Sequence, residues 1–490
     1  MKQHILAIDQ GTTSTRCLVF DGARRIAGLA QLEFDQYYPA EGWVEHDPET
    51  IWRDTRTVID GALAAAEISA DQCAAIGLTN QRETTVLWDR ETGAPLHRAI
   101  VWQDRRTAAA CEALRQAGHE PRVQQLTGLL LDPYFSATKL AWLLDAIPGA
   151  RQRAEAGELA FGTIDSFLLW RLTEGRVHRT DVTNASRTLL FDIHRQQWSD
   201  ELLGLFAIPR AVLPEVCDSG ADFGETTLLG APIPIAGIAG DQQAALVGQS
   251  CFAAGEAKIT YGTGGFMLLN TGGQPAPAGG RLLTTVAYRV DGRTDYAIEG
   301  SLFVAGAAIK WLRDKLGVIV EARQTRDMAA SLPDNGGVYL VPAFVGLGAP
   351  HWLTEARGLV TGMTFDTGAA HFARAALESI AYQTCDLIAA MATQGAGPPR
   401  SLRVDGGVAS NDWFCQFLAD VLDLPVTRPT NVETTALGAA MLAGHRTGAW
   451  SPLFDPAPQA GDGTRFAPRM AHDTRTALLA GWQAAIRRAS

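Results

Sequence analysis

Lysine is scarce in this chain: it occurs five times in 490 residues, at positions 2, 139, 258, 310 and 315, and never after a glycine. That excludes the Gly-Lys-Ser/Thr phosphate loop, in which a lysine reaches the phosphates from a glycine-rich turn. No GxGxxG follows a strand-like run, so the simplest sign of a nicotinamide enzyme is missing as well. The seven cysteines, at 17, 73, 111, 217, 251, 385 and 415, include no CxxC pair, and several stand in apolar runs as buried free thiols do. No uncharged run of 18 apolar residues occurs, and the apolar run before Asp9 is too short for a signal peptide. We therefore expect a cytoplasmic protein without membrane insertion. Positive charge is outnumbered, giving a formal net charge of −11 with no basic cluster. Phosphate neutralisation along a nucleic acid needs a basic surface, so a nucleic-acid partner is not expected. A local basic phosphate site stays open.

What remains is an ordinary globular composition, 47% hydrophobic and 19% charged. At this length two domains are expected, since one hydrophobic core rarely supports so many residues.

The organising stretch is ILAIDQGTTSTRCLVF, residues 5–20. Two aliphatic runs flank a polar Gly-Thr-Thr-Ser loop, which predicts a buried β-hairpin with a polar tip. Gly11 lets backbone come close to a ligand, Thr12, Thr13 and Ser14 offer hydroxyls and N–H donors, and Asp9 puts a carboxylate at the strand end. Such a tip can wrap phosphate oxygens while the carboxylate faces a hydrated Mg²⁺, which needs few protein ligands. The plan recurs in AKITYGTGGFMLL, where Gly262 and Thr263 stand 251 positions after Gly11 and Thr12. Similarity at half the chain length predicts two related α/β halves, 1–249 and 250–490, facing one nucleotide in the cleft between them.

Between and beyond the hairpins, polar residues collect at the ends of predicted strands, where α/β sheets bind ligands. Residues 48–67 have helical periodicity, and 74–78 form a buried strand that runs into Thr79-Asn80-Gln81-Arg82-Glu83. This Arg-Glu pair suits either a solvated turn or a ligand that both accepts and donates hydrogen bonds, such as a polyol. Residues 100–104 read as another strand with a polar exit, and Asp132-Pro133-Tyr134 leads into a helix starting near Ser136. The segment 178–187 is polar. Residues 233–241, IPIAGIAGD, form a strand ending on Asp241 before Gln242, a junction that suits an N-cap, a metal ligand or a general base. In the second half, 271–280 is expected to be an exposed loop, 299–316 a helix with Gly306 inside it, 338–345 a strand leading into GLGAPHW, and 373–391 a long helix. Residues 402–412, LRVDGGVASND, run from a strand through paired glycines into a helix, whose N-terminus offers donors and partial positive charge.

The stretches DQGTTSTR, GWVEHDP, AAIGLTNQRETTVLW, AIVWQDRRT, TGLLLDPYFSATK, TDVTNASRTLLF, IAGDQQAALVGQ, TYGTGGFML, VPAFVGLGAPHW, LESIAYQT and VDGGVASND together resemble the FGGY carbohydrate kinases, within them the glycerol-phosphorylating branch. The resemblance implies an α/β, two-domain actin-like (ribonuclease H-like) ATPase fold with duplicated domains and an interdomain cleft. It implies transfer of the γ-phosphoryl of ATP, with Mg²⁺, to glycerol, in a homodimer or homotetramer. Matched position by position, Thr12, Thr13, Ser14, Arg16, Thr263, Gly306, Gly407 and Asn411 would hold the nucleotide and Asp9 would sit near Mg²⁺. Arg82, Glu83, Tyr134, Asp241 and Gln242 would hold glycerol, with Asp241 as the catalytic base. A kinase for a ketose such as xylulose would share these stretches less well, and an actin-like ATPase switch would share the hairpins but leave the polyol set idle. Three departures stand out. Lys310 occupies a position where better-known members have glutamine. The loop GAPIPI, 230–235, lacks the longer Gly- and Arg-containing segment of the fructose 1,6-bisphosphate site of enteric members, and no histidine lies between Ala221 and Gly240 to serve as the phosphorylation acceptor of some Gram-positive members.

Overall fold

The computed structural model describes residues 3–454 and 463–489, apart from 349, 352 and 354. Each half is built on one sheet. The first contains β1 (His4–Gln10), β2 (Ser14–Phe20), β3 (Ile26–Glu33), β4 (Cys73–Asn80), β5 (Glu225–Thr226) and β6 (Ile233–Gly240), in the spatial order β5-β6-β4-β1-β2-β3. The second contains β7 (Glu256–Tyr261), β8 (Gly265–Gly272), β9 (Leu283–Val290), β10 (Arg293–Leu302), β11 (Ser401–Asp405), β12 (Val426–Pro429) and β13 (Gly463–Phe466), in the order β9-β10-β8-β7-β11-β12-β13.

Five strands of each sheet share one plan. In the first, β3 and β2 pair antiparallel, as do β2 and β1, while β1, β4 and β6 run parallel. In the second, β10, β8 and β7 are antiparallel in turn, and β7, β11 and β12 run parallel. The two hairpins expected from the sequence are β1–β2 and β7–β8, each inside its sheet with neighbours on both sides. This is the duplicated, actin-like arrangement that the resemblance implies. The parallel strands are buried on both faces, which explains their near-continuous apolar runs.

Helices cover these faces. Helix α1 (Pro48–Ala65) starts where Asp47 accepts a hydrogen bond from Glu49 N at 3.0 Å, and its buried stripe of Ile51, Val58, Ile59 and Ala62 lies on β2 and β3. The opposite face is crossed by α2 (Asp241–Gly248), which continues β6, and by a helix from the far end of the chain. In the second half, α3 (Gly306–Asp314), α4 (Ala369–Met391) and α5 (Asp412–Leu422) pack around the second sheet. Helix α6 (Thr434–Thr447) leaves its own sheet and lies over β1, β4 and β6 of the first, beside α2. Glycines line this crossing. A Cβ at Gly77 or Gly237 would run into α6 backbone, and a Cβ at Gly248 or Gly438 would overlap the facing helix.

Three expectations change. Residues 293–302 are strand β10, with the helix starting only at Gly306, because Glu299, Gly300 and Ser301 pair on one side with Leu268, Met267 and Phe266, and Glu299 pairs on the other with Leu283. Ladder bonds on both edges outweigh a local pattern that fits either structure. The strand expected at 100–104 shrinks to Ala99–Ile100, and that at 338–345 to Tyr339–Val341. Of the GLGAPHW loop, Ala349 and Trp352 lie outside the described residues. Among the described residues no helix is long and apolar enough to cross a membrane.

Candidate active site

The strands β4 and β6 deliver their polar exits side by side. Asn80 at the end of β4 exchanges amide hydrogen bonds with Asn184 at 3.0 and 3.1 Å, and Gln81 donates to Gln10 Oε1 at 3.0 Å. These contacts fix the turn that follows. There Glu83 takes a left-handed backbone (φ 62°), rare for a residue with a side chain, and its carbonyl accepts from Ser136 Oγ at 3.0 Å and Thr85 Oγ1 at 3.1 Å. Strain of this kind persists only where the surroundings over-determine it.

Arg82 is the hub of the cluster. Its Nε lies 3.1 Å from Asp241 Oδ1, its Nη1 donates to Glu299 at 2.5 Å and to Gln243 Oε1 at 3.2 Å, and its Nη2 reaches Tyr134 Oη at 3.5 Å. Glu299 in turn accepts from Arg187 Nη2 at 2.8 Å, and Arg187 Nε donates to Glu83 at 2.6 Å. Burial raises the Glu299 carboxyl, but Arg187 and Arg82 outweigh it and hold the group at about 2. Asp241 stands apart from its neighbours in one respect. Its side chain is 33% exposed while Arg82 is 2% exposed, so it is the carboxylate of this group that faces open space.

An apolar wall closes one side. The Tyr134 ring lies edge-on to Trp102 at 5.5 Å, and Trp102 edge-on to Phe266 of β8 at 6.4 Å. Trp102 also donates to Thr12 Oγ1 at 3.0 Å, tying the wall to the first hairpin. Gln242 is fixed by Lys258, whose Nζ donates to its Oε1 at 2.5 Å. Lys258 is fully buried, and burial pushes its ammonium below the ordinary lysine range.

The hairpin tips face the same region. Gly11 N donates to Ser14 O at 2.9 Å, closing the first tip; Thr13 is exposed there and Ser14 half-buried. Arg16 is paired with Asp9 and, at 2.7 Å, with Glu433 just before α6. Burial raises the Asp9 carboxyl, Arg16 opposes it, and the charges of Asp241 and Glu433 add to the rise. At the second tip the amides of Ala305 and Ala307 donate to Thr263 O and that of Gly306 to Gly262 O, at 2.9–3.0 Å. A Cβ at Gly306 would sit 2.6 Å from Gly262 O, so the hairpin itself accounts for this glycine.

Behind the second tip opens a cavity of about 940 Å³, lined by Gly262, Gly306, Lys310, Gly407 and Asn411 among others. Asn411 accepts from Phe414 N at 3.1 Å as the cap of α5 and donates to Thr325 Oγ1 at 3.2 Å. Gly406, at φ 86°, crosses the Tyr261 carbonyl so closely that a side chain there would collide. The structure thus brings the expected residues together in three groups: Arg82, Glu83, Tyr134, Asp241 and Gln242; the first tip with Asp9 and Arg16; and Gly306, Gly407 and Asn411 around the cavity. Thr263 follows the cavity-lining Gly262 in sequence but does not itself line the cavity.

Sequence reasoning did not single out Arg187, Glu299, Lys258, Trp102 or Glu433. Arg187 closes the polar segment 178–187, and Trp102 lies in the run 100–104 expected as a strand with a polar exit, so both carried a faint signal. Glu299 was hidden in a run that reads as helix.

Two family models match the chain: the N-terminal domain of the FGGY family of carbohydrate kinases over residues 4–248, and the C-terminal domain of that family over 257–447. The chain is 62% identical to glycerol kinase of Rhodospirillum centenum, covering 99% of this chain and 97% of that protein, and 57% identical to glycerol kinase 1 of Pseudomonas aeruginosa, covering 100% and 99%. Among solved structures it is similar to Plasmodium falciparum glycerol kinase with ADP, with a TM-score of 0.94 and 36% identity over 99% of this chain and 98% of that one. A ligand-bound xylulose kinase from Lactobacillus acidophilus shares the fold at 21% identity, with a TM-score of 0.87 over 99% and 98% of the two chains. The matched domains, the full-length likeness and the duplicated sheets agree, and the chain belongs to the FGGY family of carbohydrate kinases.

Proposed function

We propose that this kinase transfers the γ-phosphoryl group of ATP to a terminal hydroxyl of glycerol, giving sn-glycerol 3-phosphate and ADP. The observation that carries the reading is the Arg82–Asp241 ion pair: a partly exposed carboxylate against a buried guanidinium, beside Glu83, Tyr134 and Gln242. Full-length relatives named glycerol kinase and an ADP-bound structural neighbour support it.

Glycerol offers three hydroxyls, each donor and acceptor, and the group answers with guanidinium donors, carboxylate acceptors and an amide. A site that hydrogen-bonds hydroxyls rejects a ligand lacking one, because buried groups are left unpaired. Asp241 accepts the proton of the attacking hydroxyl, a role that contributes roughly 10²- to 10⁴-fold. The Arg82 guanidinium orients that carboxylate toward the acceptor. The tips carrying Thr12, Thr13, Ser14 and Thr263 supply hydroxyl and N–H donors to the phosphates, and Arg16 turns from Asp9 and Glu433 toward them. The nucleoside fills the cavity by Gly306, Gly407 and Asn411. Positioning and charge stabilisation provide most of the remaining acceleration.

Asp9, with the Asp241 charge nearby, would suit a hydrated Mg²⁺, which would supply positive charge to offset that of the phosphates. Among the described residues no three acidic, histidine or cysteine side chains form a ready metal cage. In this reading residues 1–249 hold the acceptor and the first tip, residues 250–490 hold the nucleotide, and the enzyme works in the cytoplasm as a homodimer or homotetramer.

The test is ADP release by the purified protein with MgATP, alone and with glycerol, dihydroxyacetone or xylulose. Strong stimulation by glycerol above the others is expected, and Asp241→Asn should cut the stimulated turnover at least about a hundredfold. Turnover indifferent to every acceptor would overturn the reading, and near-parental turnover in the variant would remove Asp241 from the base role.

A further inference from the structure

Arg82 and Glu83 are adjacent in sequence yet do not satisfy one another: the shortest distance between their charged atoms is 3.9 Å. Each is held by a residue from elsewhere. Glu299 on β10 places one carboxylate oxygen against Arg82 and the other against Arg187, at 2.5 and 2.8 Å. Arg187, just past the short helix Val182–Ala185, turns its Nε to Glu83 Oε1 at 2.6 Å. The ring Arg82–Glu299–Arg187–Glu83 contains two cations and two anions, and none of its side chains is more than 3% exposed. Two rings support it, with the Arg187 guanidinium 5.6 Å from the Tyr134 ring centre and 5.3 Å from that of Phe135.

The pairing dictates what each group can offer a ligand. Glu299 occupies Arg82 Nη1, so Nε and Nη2 are turned to Asp241 and Tyr134. Arg187 occupies Glu83 Oε1, so Oε2 is the oxygen left for a hydroxyl.

We infer that Arg187 and Glu299 are positioning residues for the acceptor site, setting which edge of Arg82 and which oxygen of Glu83 meet the polyol. The inference rests on the function proposed above. It also makes the acceptor site a joint product of both sheets, since Glu299 is carried by the second and Arg82 and Glu83 follow a strand of the first. In a buried ring of this kind the loss of one charge leaves its partners uncompensated, and they rearrange.

The test uses the full-length protein. In the parent, kcat, the KM for glycerol, the KM for ATP and the affinity for ADP are measured, then again in Glu299→Gln, Glu299→Asp and Arg187→Lys. We expect Glu299→Gln to raise the glycerol KM at least about tenfold, more than it lowers kcat, while ADP affinity stays within about twofold. Glu299→Asp, which keeps the charge on a shorter stem, should recover part of that loss. Arg187→Lys keeps the charge but cannot serve two carboxylates in the same plane, so it should raise the glycerol KM as well. A glycerol KM within about twofold of the parent in both Glu299→Gln and Arg187→Lys would overturn the inference. So would loss of ADP binding together with glycerol binding in a variant whose circular dichroism matches the parent, because the ring would then serve the whole cleft and not the acceptor site. If Glu299→Gln does not fold, the Arg187→Lys result decides alone. A parent without glycerol-stimulated turnover overturns the functional reading itself, whereas an active parent with parent-like variants overturns only this inference.

Discussion

Lys139 takes no part in the proposed chemistry, yet its ammonium is buried beneath the acceptor site, donating to the carbonyls of Pro133 at 3.1 Å and Tyr134 at 2.6 Å. Burial brings it down to about 7, against the pull of Glu83, Asp104 and Asp132. In the unfolded chain a lysine titrates near 10.4. Between about pH 7 and 10.4 the unfolded state therefore binds a proton that the folded state has released, and stability rises with pH across that window, by up to about 1.4 kcal/mol per pH unit from this group. Below pH 7 both states hold the proton and the contribution is flat. Lys139→Met should reduce the slope of the chemical-denaturation free energy between pH 7 and 10 by about one proton's worth. An unchanged slope would mean that the folded lysine keeps its charge. Legibility at this scale followed distance along the chain. Arg82, Glu83 and Asp241 could be read because each sits where a strand gives way to polar sequence. Arg187 and Glu299 could not, because their partners lie 104 and 217 positions away and no local pattern encodes such a pairing.

Among the larger elements, the crossing of α2 and α6 depends on what is missing from it. Gly438 faces the Ala244 carbonyl and Gly248 faces Thr434, so the two helices meet backbone to backbone. A methyl group there has nowhere to go, because the opposing atoms belong to main chain and not to a flexible side chain. Gly438→Ala should destabilise the protein by about 1–3 kcal/mol or more, seen as a lower denaturation midpoint. A variant as stable as the parent would show that the helices can separate without loss. Glycine costs about 1 kcal/mol against alanine inside an exposed helix, so in an isolated helix the same change would stabilise; the sign distinguishes packing from propensity. Both hairpins and helix α1 were legible in the sequence, since their apolar periods agree with their final partners. β10 was not. Its residues suit a helix or a strand locally, and the choice is made by β8 and β9 on its two edges.

For the whole molecule, the duplication seen in two Gly-Thr tips is realised as two sheets with the same five-strand plan. The path of α6 was not foreseeable, because nothing in residues 434–447 states which sheet they will cover. The helix joins a cluster that includes Ile5, Leu18 and Ala75 of the first sheet, Leu268 and Ala287 of the second, and Ala436 and Ala440 of its own. Residues 1–249 expressed alone lack this cover. That fragment should bind a hydrophobic dye, lose near-ultraviolet circular dichroism and unfold without a cooperative transition. A dye-free fragment with a sharp transition would show α6 to be dispensable for the first sheet.

The same path sets a timetable for synthesis. The chain completes β6 roughly two hundred residues before it reaches α6. At ribosomal elongation rates of about 5–20 residues per second, the face over Gly77 and Gly237 waits bare for about 10–40 s on every nascent chain. During that interval the first sheet is a finished surface without its lid, and residues 434–447 decide whether it is closed or captured by something else.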